Sequence, residues 1–554
     1  MHQTLAMPIA ARADAEADAR AFDVFAVAVL VVIAAAVIAT FRDYGLGWDD
    51  YTHSQYGDLL VALYRSGFTD RRALSFVNLY MYGGGFDLLS ALAAKILPFD
   101  LFETRRLVGG AVGLLGLAVT WRLARRLGGP AAGLLALILL AACPLYYGHM
   151  FINAKDGPFA VASVIALFGI VRAFEEYPRA TVPTVAIFSI GVGLAVGSRV
   201  LGGFAILEAV LPLVFIVGIR ASANGARPAL AECGAYLAAF IPGVLLAYLV
   251  MGLVWPWSVV APLNPFYAVE YFSNFFEKPW RELFDGRLIL VPDMPRSYVP
   301  TLFALQTPAL MLVLGFCGTA GAVVQIAGWA KNEARAGRRA ALLAVVIAAW
   351  LPILITIGTR PAMYNGIRHF VFTFPPLAVL GGLAGAWLAD WARRRGTIAL
   401  VPAALIFAVG IALPVIEMVR LHPYQYTYFN RIAGGVAGAR PYYMIDYWGL
   451  SMTQASRRLR TILAERGERP PEAGWNVAVC GPHPAVVVGL GSGFNAIWDP
   501  KGADFAMMLN EFYCADLDAP VVLEIRREGI VYARVYDIRG RSVSTLLRYP
   551  NANQ

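Results

Sequence analysis

Long apolar runs separated by short polar loops occupy most of the chain. The first run, Phe22 to Phe41, has about twenty residues and can cross a bilayer core of about 30 Å. Its length and the mixed charge of the tail before it favour an anchor helix over a secretory signal peptide. Further runs of spanning length begin near Glu103, Pro130, Pro158, Thr184, Leu201, Cys233, Thr301, Ala340, Phe370 and Thr397. The pattern predicts a polytopic α-helical membrane protein with about eleven transmembrane helices.

The composition agrees with this organisation. Of 554 residues, 58% are apolar and only 15% are charged, whereas an ordinary soluble domain has about a quarter charged residues. This composition excludes a disordered protein and a soluble cytosolic enzyme. The net charge of +9 does not indicate nucleic-acid binding, because the basic residues fall in short clusters between apolar runs.

These basic clusters define the orientation in the membrane. All of them fall in loops on the side that holds the N-terminus, and loops rich in Arg and Lys stay in the cytoplasm. The abundance of Arg, Ala and Gly suggests a GC-rich bacterium, so we expect the bacterial cytoplasmic (inner) membrane with a cytoplasmic N-terminus. The clusters are Arg122, Arg125 and Arg126; Arg220 and Arg227; Lys331, Arg335, Arg338 and Arg339; and Arg393, Arg394 and Arg395.

Three segments follow from this topology. Residues 1–21 are Ala-rich and charged without periodicity, and we expect a disordered cytoplasmic tail there. Residues 22–418 form the membrane domain. An odd number of spans places residues 419–554 on the outer side of the membrane.

The outer segment differs from the rest of the chain in composition. It is polar, and its short β-branched runs, such as Trp475–Cys480 and Val521–Ile525, are separated by Gly, Pro and charged residues. This pattern predicts a small extracytoplasmic α/β domain. Cys480 and Cys514 can pair within it if the compartment is oxidising.

The first outer loop holds a candidate chemical site. It reads Gly-Trp-Asp-Asp-Tyr-Thr-His and contains Asp49, Asp50 and His53. Adjacent carboxylates at a membrane surface are costly to desolvate and suit a general base or a metal ligand. A solvated turn is the alternative. Helical patterns over Tyr51 to Leu63 and Leu88 to Leu97, both too short to span, predict interfacial helices and favour the functional interpretation.

Other charged residues lie at the same membrane face. Lys155 and Asp156 precede the fourth span, Arg199 ends the fifth, and Arg368 and His369 precede the tenth. Taken singly, Asp156 could be a helix cap and the basic residues could be interfacial anchors. Because acids and cations from four outer segments converge on one face, we instead expect a site for transfer from a lipid phosphate donor.

The order of these residues resembles a known family. An Asp-Asp-x-x-His motif, a Lys-Asp pair before span four and a basic residue ending span five are similar to polyprenyl-phosphate-sugar-dependent glycosyltransferases with the GT-C fold. The branch is the one that resembles protein O-mannosyltransferases and aminoarabinose transferases. Three later patches also resemble its bacterial members: Arg368 to Pro376, His422 to Asn430 and Asp446 to Gly449.

The resemblance implies a role for each residue. Asp49 would be the catalytic base with Asp50 as its support, and Asp156 matches the acid of the second loop. The donor phosphate would bind Arg199, with helpers Lys155, Arg368 and His369. Candidate contacts to the acceptor or the sugar are His53, Asn153, Asp446 and Trp448. The chemistry requires no cofactor, although a divalent metal bridging Asp49 and Asp156 stays open.

The implied reaction is an inverting transfer of a sugar from a polyprenyl phosphate to a lipid, glycan or protein acceptor, in contact with membrane lipids. Two other functions remain as alternatives. A transporter or lipid flippase usually has repeats and ionisable residues near the bilayer midplane, which this sequence does not show clearly. A non-catalytic cell-envelope assembly protein would use the outer domain to bind a ligand.

Overall fold

The computed structural model describes residues 9–274, 280–328 and 335–547. Its helices are α1 (Ile9–Thr40), α2 (Asp50–Arg65), α3 (Gly85–Ala93), α4 (Leu101–Ala141), α5 (Pro144–Ile152), α6 (Asp156–Glu175), α7 (Val182–Ser198), α8 (Phe204–Asn224), α9 (Ala226–Ala238), α10 (Ile241–Val254), α11 (Asn264–Ser273), α12 (Tyr298–Gln306), α13 (Ala309–Ala327), α14 (Ala336–Thr359), α15 (Phe374–Arg394), α16 (Thr397–Leu421), α17 (Gly435–Ala439), α18 (Ser451–Glu465), α19 (His483–Leu490) and α20 (Val543–Leu546). Its strands are β1 (Arg281–Phe284), β2 (Arg287–Leu290), β3 (Trp475–Cys480), β4 (Phe494–Ile497), β5 (Phe505–Leu509), β6 (Val521–Arg527) and β7 (Ile530–Asp537).

The chain is a multi-pass membrane protein. Within the described ranges, nine helical stretches are long and apolar enough to cross a bilayer, so the expected eleven spans are not confirmed. The difference lies at two places. The stretch Leu101–Ala141 counts as one, although the non-helical backbone of Gly129, with a φ of 83°, separates two helices there just before Pro130, the residue at which the sequence predicts a new span. Helix α7 is apolar but, at 17 residues, is shorter than any of the nine spanning stretches.

The N-terminal segment differs from expectation. Helix α1 begins at Ile9, so residues 9–21 are helical rather than disordered, which agrees with their high Ala content because Ala has the highest helix propensity. Residues 1–8 lie outside the described part of the chain, as does Lys331. Asp23 on α1 accepts hydrogen bonds of 2.7 Å from Arg125 on α4, which joins the two helices at one end.

The membrane helices form a packed centre with a loose rim. The most apolar windows of the stretches containing α6 and α15 are 72% and 78% buried, whereas the window of α16 is only 6% buried and is left to face lipid. Small residues permit close helix approach: a Cβ at Gly382 of α15 would lie 2.5 Å from the carbonyl of Ala132 on α4. The central helices α4, α6 and α15 therefore provide a rigid support for the residues at their ends.

The C-terminal domain is a small α/β unit, as the sequence predicts. Its five strands are ordered β4-β3-β5-β7-β6; β3 runs parallel to β4 and β5, and β7 is antiparallel to its neighbours. A disulfide joins Cys480, at the end of β3, to Cys514, in the loop after β5. This bond fixes the loop at the carboxyl ends of the parallel strands.

The aromatic segment from His422 to Asn430 joins this domain to the membrane helices. Tyr424 and Tyr426 are fully buried, and the Asn430 amide donates to the carbonyls of Ala304 and Thr307 at 2.7 and 2.9 Å. The aromatic residues are therefore used for packing.

Candidate functional site

A cavity of about 960 Å³ lies between the membrane helices and the C-terminal domain. This volume is in the range of sites for small molecules. Both parts of the chain contribute to its wall, and aromatic side chains are frequent in it. The lining includes Trp48, Asp49, His53, Tyr82, Lys155, Trp280, Tyr364, Arg368, Tyr447, Trp448, Phe512 and Tyr513.

A second, smaller cavity of about 380 Å³ adjoins the first. Its wall is mostly apolar, with Phe204, Phe272 and Ile355 among the lining residues, and its polar lining includes Arg199 and His369. Tyr82 and Tyr364 line both cavities. A molecule with a polar head and a long apolar tail therefore has an environment for each part, with the two tyrosines at the junction.

Asp49 faces the larger cavity. It precedes α2, and its side chain is not used as a helix cap. Instead it accepts a hydrogen bond of 3.2 Å from Lys155 Nζ, while 42% of the side chain remains exposed. The Lys155 ammonium lowers the pKa of Asp49 to about 2. The carboxylate is thus ionised, held by one flexible cation and open to a ligand.

Asp50 has a different environment. Its side chain is only 3% exposed, and both its oxygens accept from the Arg106 guanidinium, at 2.8 and 2.6 Å. The backbone N–H of Gly47 also donates to it. Asp50 does not line either cavity, so any support that it gives Asp49 acts through the position of α2.

Asp156 is the centre of a buried network. It forms a close ion pair with Arg199, and Arg368 Nη1 lies 3.4 Å from its other oxygen. Asn153 donates to that second oxygen at 2.7 Å and accepts the Asp156 N–H at 2.8 Å. His369 Nδ1 is 3.9 Å from the carboxylate. The carboxylate therefore organises cations, and Asn153 fixes the carboxylate.

The helix-cap interpretation of Asp156 does not hold, since its oxygens accept from side chains and Asn153 accepts the backbone N–H at the start of α6. Arg368 is in addition placed between two rings, 4.7 Å from the centroid of Trp448 and 5.1 Å from that of Tyr364. Such stacking limits the movement of a guanidinium. Trp448 thus lines the cavity and also holds a cation.

Tyr82 lies under two of the cations. Lys155 Nζ is 5.0 Å and the Arg199 guanidinium 5.9 Å from its ring centroid. The next residue must be small, because a Cβ at Gly83 would lie 1.3 Å from the carbonyl oxygen of Gly197. Gly83 thereby lets the loop that carries Tyr82 pack against the end of α7, which Arg199 directly follows in the chain.

The local charges leave a positive excess. Lys155, Arg199 and Arg368 contribute three positive charges, and Asp49 and Asp156 contribute two negative ones. The arrangement suits an anion, and phosphate binds cation clusters of this kind through charge-assisted hydrogen bonds.

His53 was a candidate contact, and the structure shows what holds it. Its Nδ1 lies 2.7 Å from Asp87 Oδ2, and Arg105 donates to the other oxygen of Asp87 at 2.6 Å. Asp87, Arg105 and Arg106 are not among the site residues predicted from the sequence. The sequence does indicate that the two arginines have a function. They begin the second span on the side opposite to the basic loops, and the positive-inside rule does not explain them.

Asp446 does not reach the cavity, so the expected contact with the acceptor is not supported. It is 1% exposed and accepts from the Tyr426 hydroxyl and from the N–H groups of Gly449 and Leu450. Burial raises the pKa of Asp446 to about 6. Its place before α18 explains this: the carboxylate satisfies backbone donors at the start of that helix.

A metal site is not preformed here. The described residues contain no cluster of three or more His, Cys, Asp or Glu side chains able to hold a metal ion. A metal bridging Asp49 and Asp156 would have to displace Lys155 and Arg199 from these carboxylates.

Comparison with known proteins adds independent findings. Residues 85–255 match the model of the dolichyl-phosphate-mannose-protein mannosyltransferase family. No curated protein matches the sequence. The oligosaccharyltransferase of Archaeoglobus fulgidus has a similar structure, with a TM-score of 0.50 and 14% identity over 87% of this chain; the match spans 65% of the oligosaccharyltransferase, less than two thirds of its length.

A second similar structure is ArnT from Cupriavidus metallidurans. It covers 94% of this chain and 98% of its own length at 17% identity, with a TM-score of 0.48. ArnT bound to undecaprenyl phosphate gives the same TM-score. From the family match and the architecture shared with the oligosaccharyltransferase, the chain has the GT-C fold, which confirms the fold that the resemblance in its sequence implies.

Proposed function

We propose that this protein is an inverting glycosyltransferase that moves a sugar from a polyprenyl phosphate to a hydroxyl group of a lipid, glycan or protein acceptor. The observation that carries the proposal is the junction of the two cavities. An apolar groove meets a polar, aromatic-lined chamber at Tyr82 and Tyr364, beside a cluster with one excess positive charge. The matched family is named for a dolichyl-phosphate sugar donor, which is chemically of the same kind as the polyprenyl-phosphate sugar proposed here.

In this proposal the polyprenyl tail occupies the smaller cavity and the sugar the larger one. The phosphate lies between them, next to Arg199, with Lys155, Arg368 and His369 around it. We place this reaction at the outer face of the bacterial cytoplasmic membrane, the side that holds the C-terminal domain.

Asp49 is the proposed base. It accepts the proton of the acceptor hydroxyl, whose oxygen forms a bond to the anomeric carbon as the bond from that carbon to the phosphate oxygen breaks. The electron pair stays on the leaving phosphate. Because the attack comes from the face opposite the phosphate, the configuration inverts.

Lys155 connects donor binding to the strength of this base. In the free site it pairs with Asp49 and keeps the pKa of that carboxylate low. An arriving phosphate competes for the ammonium, and Asp49 then loses its counter-ion and becomes a stronger base. Asp156 in this scheme holds Arg199 and Arg368 in position for the phosphate.

Two experiments test the proposal. Mass spectrometry of surface glycolipids and glycoproteins in a deletion strain should reveal a missing sugar. Wild type should restore that sugar and Asp49→Asn should not. Asp58→Asn is the matched control, since Asp58 lies on the same helix but is exposed to solvent.

The second experiment separates this function from its alternatives. Purified protein is given a panel of polyprenyl-phosphate sugars, and both sugar transfer and movement of labelled lipid across liposomes are measured. Transfer supports the proposal. Movement of lipid without transfer supports a flippase, and neither activity together with a complete set of surface glycans in the deletion strain supports an assembly role.

A further inference from the structure

A buried histidine in the cavity wall has one ring nitrogen without a hydrogen-bond partner among the described residues. His53 is 2% exposed and lines the larger cavity, and the atom concerned is Nε2. Leaving a buried polar atom unpaired costs about 1–3 kcal/mol. Such an atom beside a binding cavity indicates a partner that arrives with the ligand.

The other side of the ring is fixed. Asp87 faces Nδ1 at 2.7 Å and is itself paired with Arg105 at 2.6 Å. Burial opposes the charge on Asp87, but His53 and Arg105 outweigh burial and hold the pKa of Asp87 below its ordinary value. A carboxylate can only accept a hydrogen bond, so Nδ1 carries a proton, and in the neutral imidazole Nε2 is then the nitrogen with the free lone pair.

The position of His53 relates it to the proposed base. His53 lies one helical turn after Asp49, and its backbone N–H donates to the Asp49 carbonyl at 3.0 Å. Residues four apart share a face of a helix, and both side chains line the same cavity. An Asp that orients a His, which in turn faces a reacting group, is a recurrent arrangement for proton transfer.

We infer that His53 is a second proton-transfer residue of this site, which accepts at Nε2 the proton that Asp49 takes from the acceptor hydroxyl. This inference rests on the proposed function. The proton moves from the Asp49 carboxyl group to the imidazole, Asp49 returns to its ionised form, and the imidazolium is stabilised by Asp87 before it releases the proton into the cavity. Asp87 is a positioning residue, because it acts through His53.

Several charged groups surround this imidazole. Asp49 lies on its own helix start, Asp87 on α3 and Arg105 on α4. Beyond Asp49 lie Lys155 and Arg368, and Asp50 and Arg106 form a closed pair at the start of the same helix. Donor binding adds a phosphate to this set, so the test is made with saturating donor.

Two substitutions separate the roles of the two ring nitrogens of His53. His53→Asn keeps an amide near the position of Nδ1 for Asp87 and removes Nε2, whereas His53→Gln keeps a polar atom near Nε2 that cannot accept a proton at neutral pH. The rate of sugar transfer from a polyprenyl-phosphate sugar is measured from pH 5 to 9. We expect the wild-type rate to fall on the acidic side of this range, because an imidazolium cannot accept a further proton.

Both variants should be slower by about 100-fold, the lower end of the effect of a proton-transfer group, and should lack this acidic limb. Asp87→Asn should shift the limb to lower pH, a change that a purely structural role would not produce. Folded His53 variants with the wild-type acidic limb would overturn the inference, as would wild-type protein with no acidic limb, even if the variants fail to fold. An active Asp49→Asn would instead contradict the proposed function itself.

Discussion

Asp49 and Asp50 are neighbours in the chain, yet the fold gives their carboxylates opposite surroundings. Asp49 is 42% exposed, faces the cavity and has one partner, Lys155. Asp50 is 3% exposed and has both oxygens bound by Arg106. Consecutive residues at a helix start point in different directions, so one position is available for chemistry and the next for holding α2 onto α4.

The cations that pair with the two aspartates also differ. Arg106 presents a planar fork that fits a carboxylate with two parallel bonds, whereas Lys155 is a point charge on a flexible stem. The first geometry favours a permanent pair, and the second allows exchange for another anion. The comparison suggests that the number of fixed bonds to a carboxylate separates a structural acid from a reactive one in this site.

The largest expected effect is on the reactive acid. Asp49→Asn removes the proton acceptor and should reduce the rate of sugar transfer by about 10²–10⁴-fold. The melting temperature should change little, because a partly exposed ion pair contributes about 0–1 kcal/mol. Transfer is measured with a polyprenyl-phosphate sugar and unfolding in the same detergent. Asp58→Asn serves as control, and an Asp49→Asn protein as active as that control would remove Asp49 from the mechanism.

The structural acid should respond in the reverse way. Asp50→Asn leaves Arg106 buried without its counter-ion and should lower the free energy of unfolding by about 3–5 kcal/mol. Replacing both partners, Asp50→Leu with Arg106→Met, should recover most of this loss, since no buried charge remains. Thermal unfolding of the two proteins checks this. A single variant that is as stable as wild type would show that the pair does not hold α2.

A third carboxylate, that of Glu282, extends the comparison to a buried acid that has no cationic partner among the described residues. Glu282 on β1 is 2% exposed and accepts from the Tyr298 hydroxyl at 2.6 Å and from the Asn365 N–H at 2.7 Å. The described residues provide it with no ion pair. Burial raises the pKa of Glu282 to about 7, so the folded protein favours the protonated form, in contrast to Asp49.

The raised pKa of Glu282 makes the stability of the folded protein depend on pH. Since the pKa is higher in the folded than in the unfolded state, the stabilisation from Glu282 is complete below about pH 4.5 and is lost as pH rises to about 7. Relative to Glu282→Gln, wild type should lose about 3 kcal/mol over this window, with no further change above it. Melting temperatures of both proteins from pH 4.5 to 8.5 check this. A constant difference would mean that Glu282 is charged throughout.

The sequence was sufficient to bring the main groups together. Loop topology placed Asp49, Lys155, Asp156, Arg199 and Arg368 at one membrane face, and the structure has them in two ion-paired groups that both contact the Tyr82 ring. Charge that has no role in orientation was the useful signal. The two short helices α2 and α3 and the small α/β domain also follow from local patterns, which depend only on neighbouring residues.

Other features depend on contacts that local patterns do not contain. The assignment of Asp49 rather than Asp50 as the proposed base depends on Arg106, which is 56 residues from Asp50. The aromatic pair Phe512 and Tyr513 enters the cavity wall from the C-terminal domain, and nothing near them in the chain indicates this. The expected contact of Asp446 is not supported because, in a sequence, a polar residue just before a helix looks the same as one in an exposed loop.

Lys155→Arg would make the reactive pair more like the structural one. The charge is kept, but a guanidinium can hold both oxygens of Asp49, so the carboxylate should be released less readily when the donor phosphate arrives. We expect kcat to fall about tenfold, equivalent to about 1.4 kcal/mol, with little change in the KM for the donor and an equal or slightly higher melting temperature. Lys155→Met is the contrasting variant, because loss of the charge should raise the KM for the donor instead. A Lys155→Arg protein with wild-type kcat would show that exchange of the cation does not limit the reaction, and that exposure alone distinguishes Asp49 from Asp50.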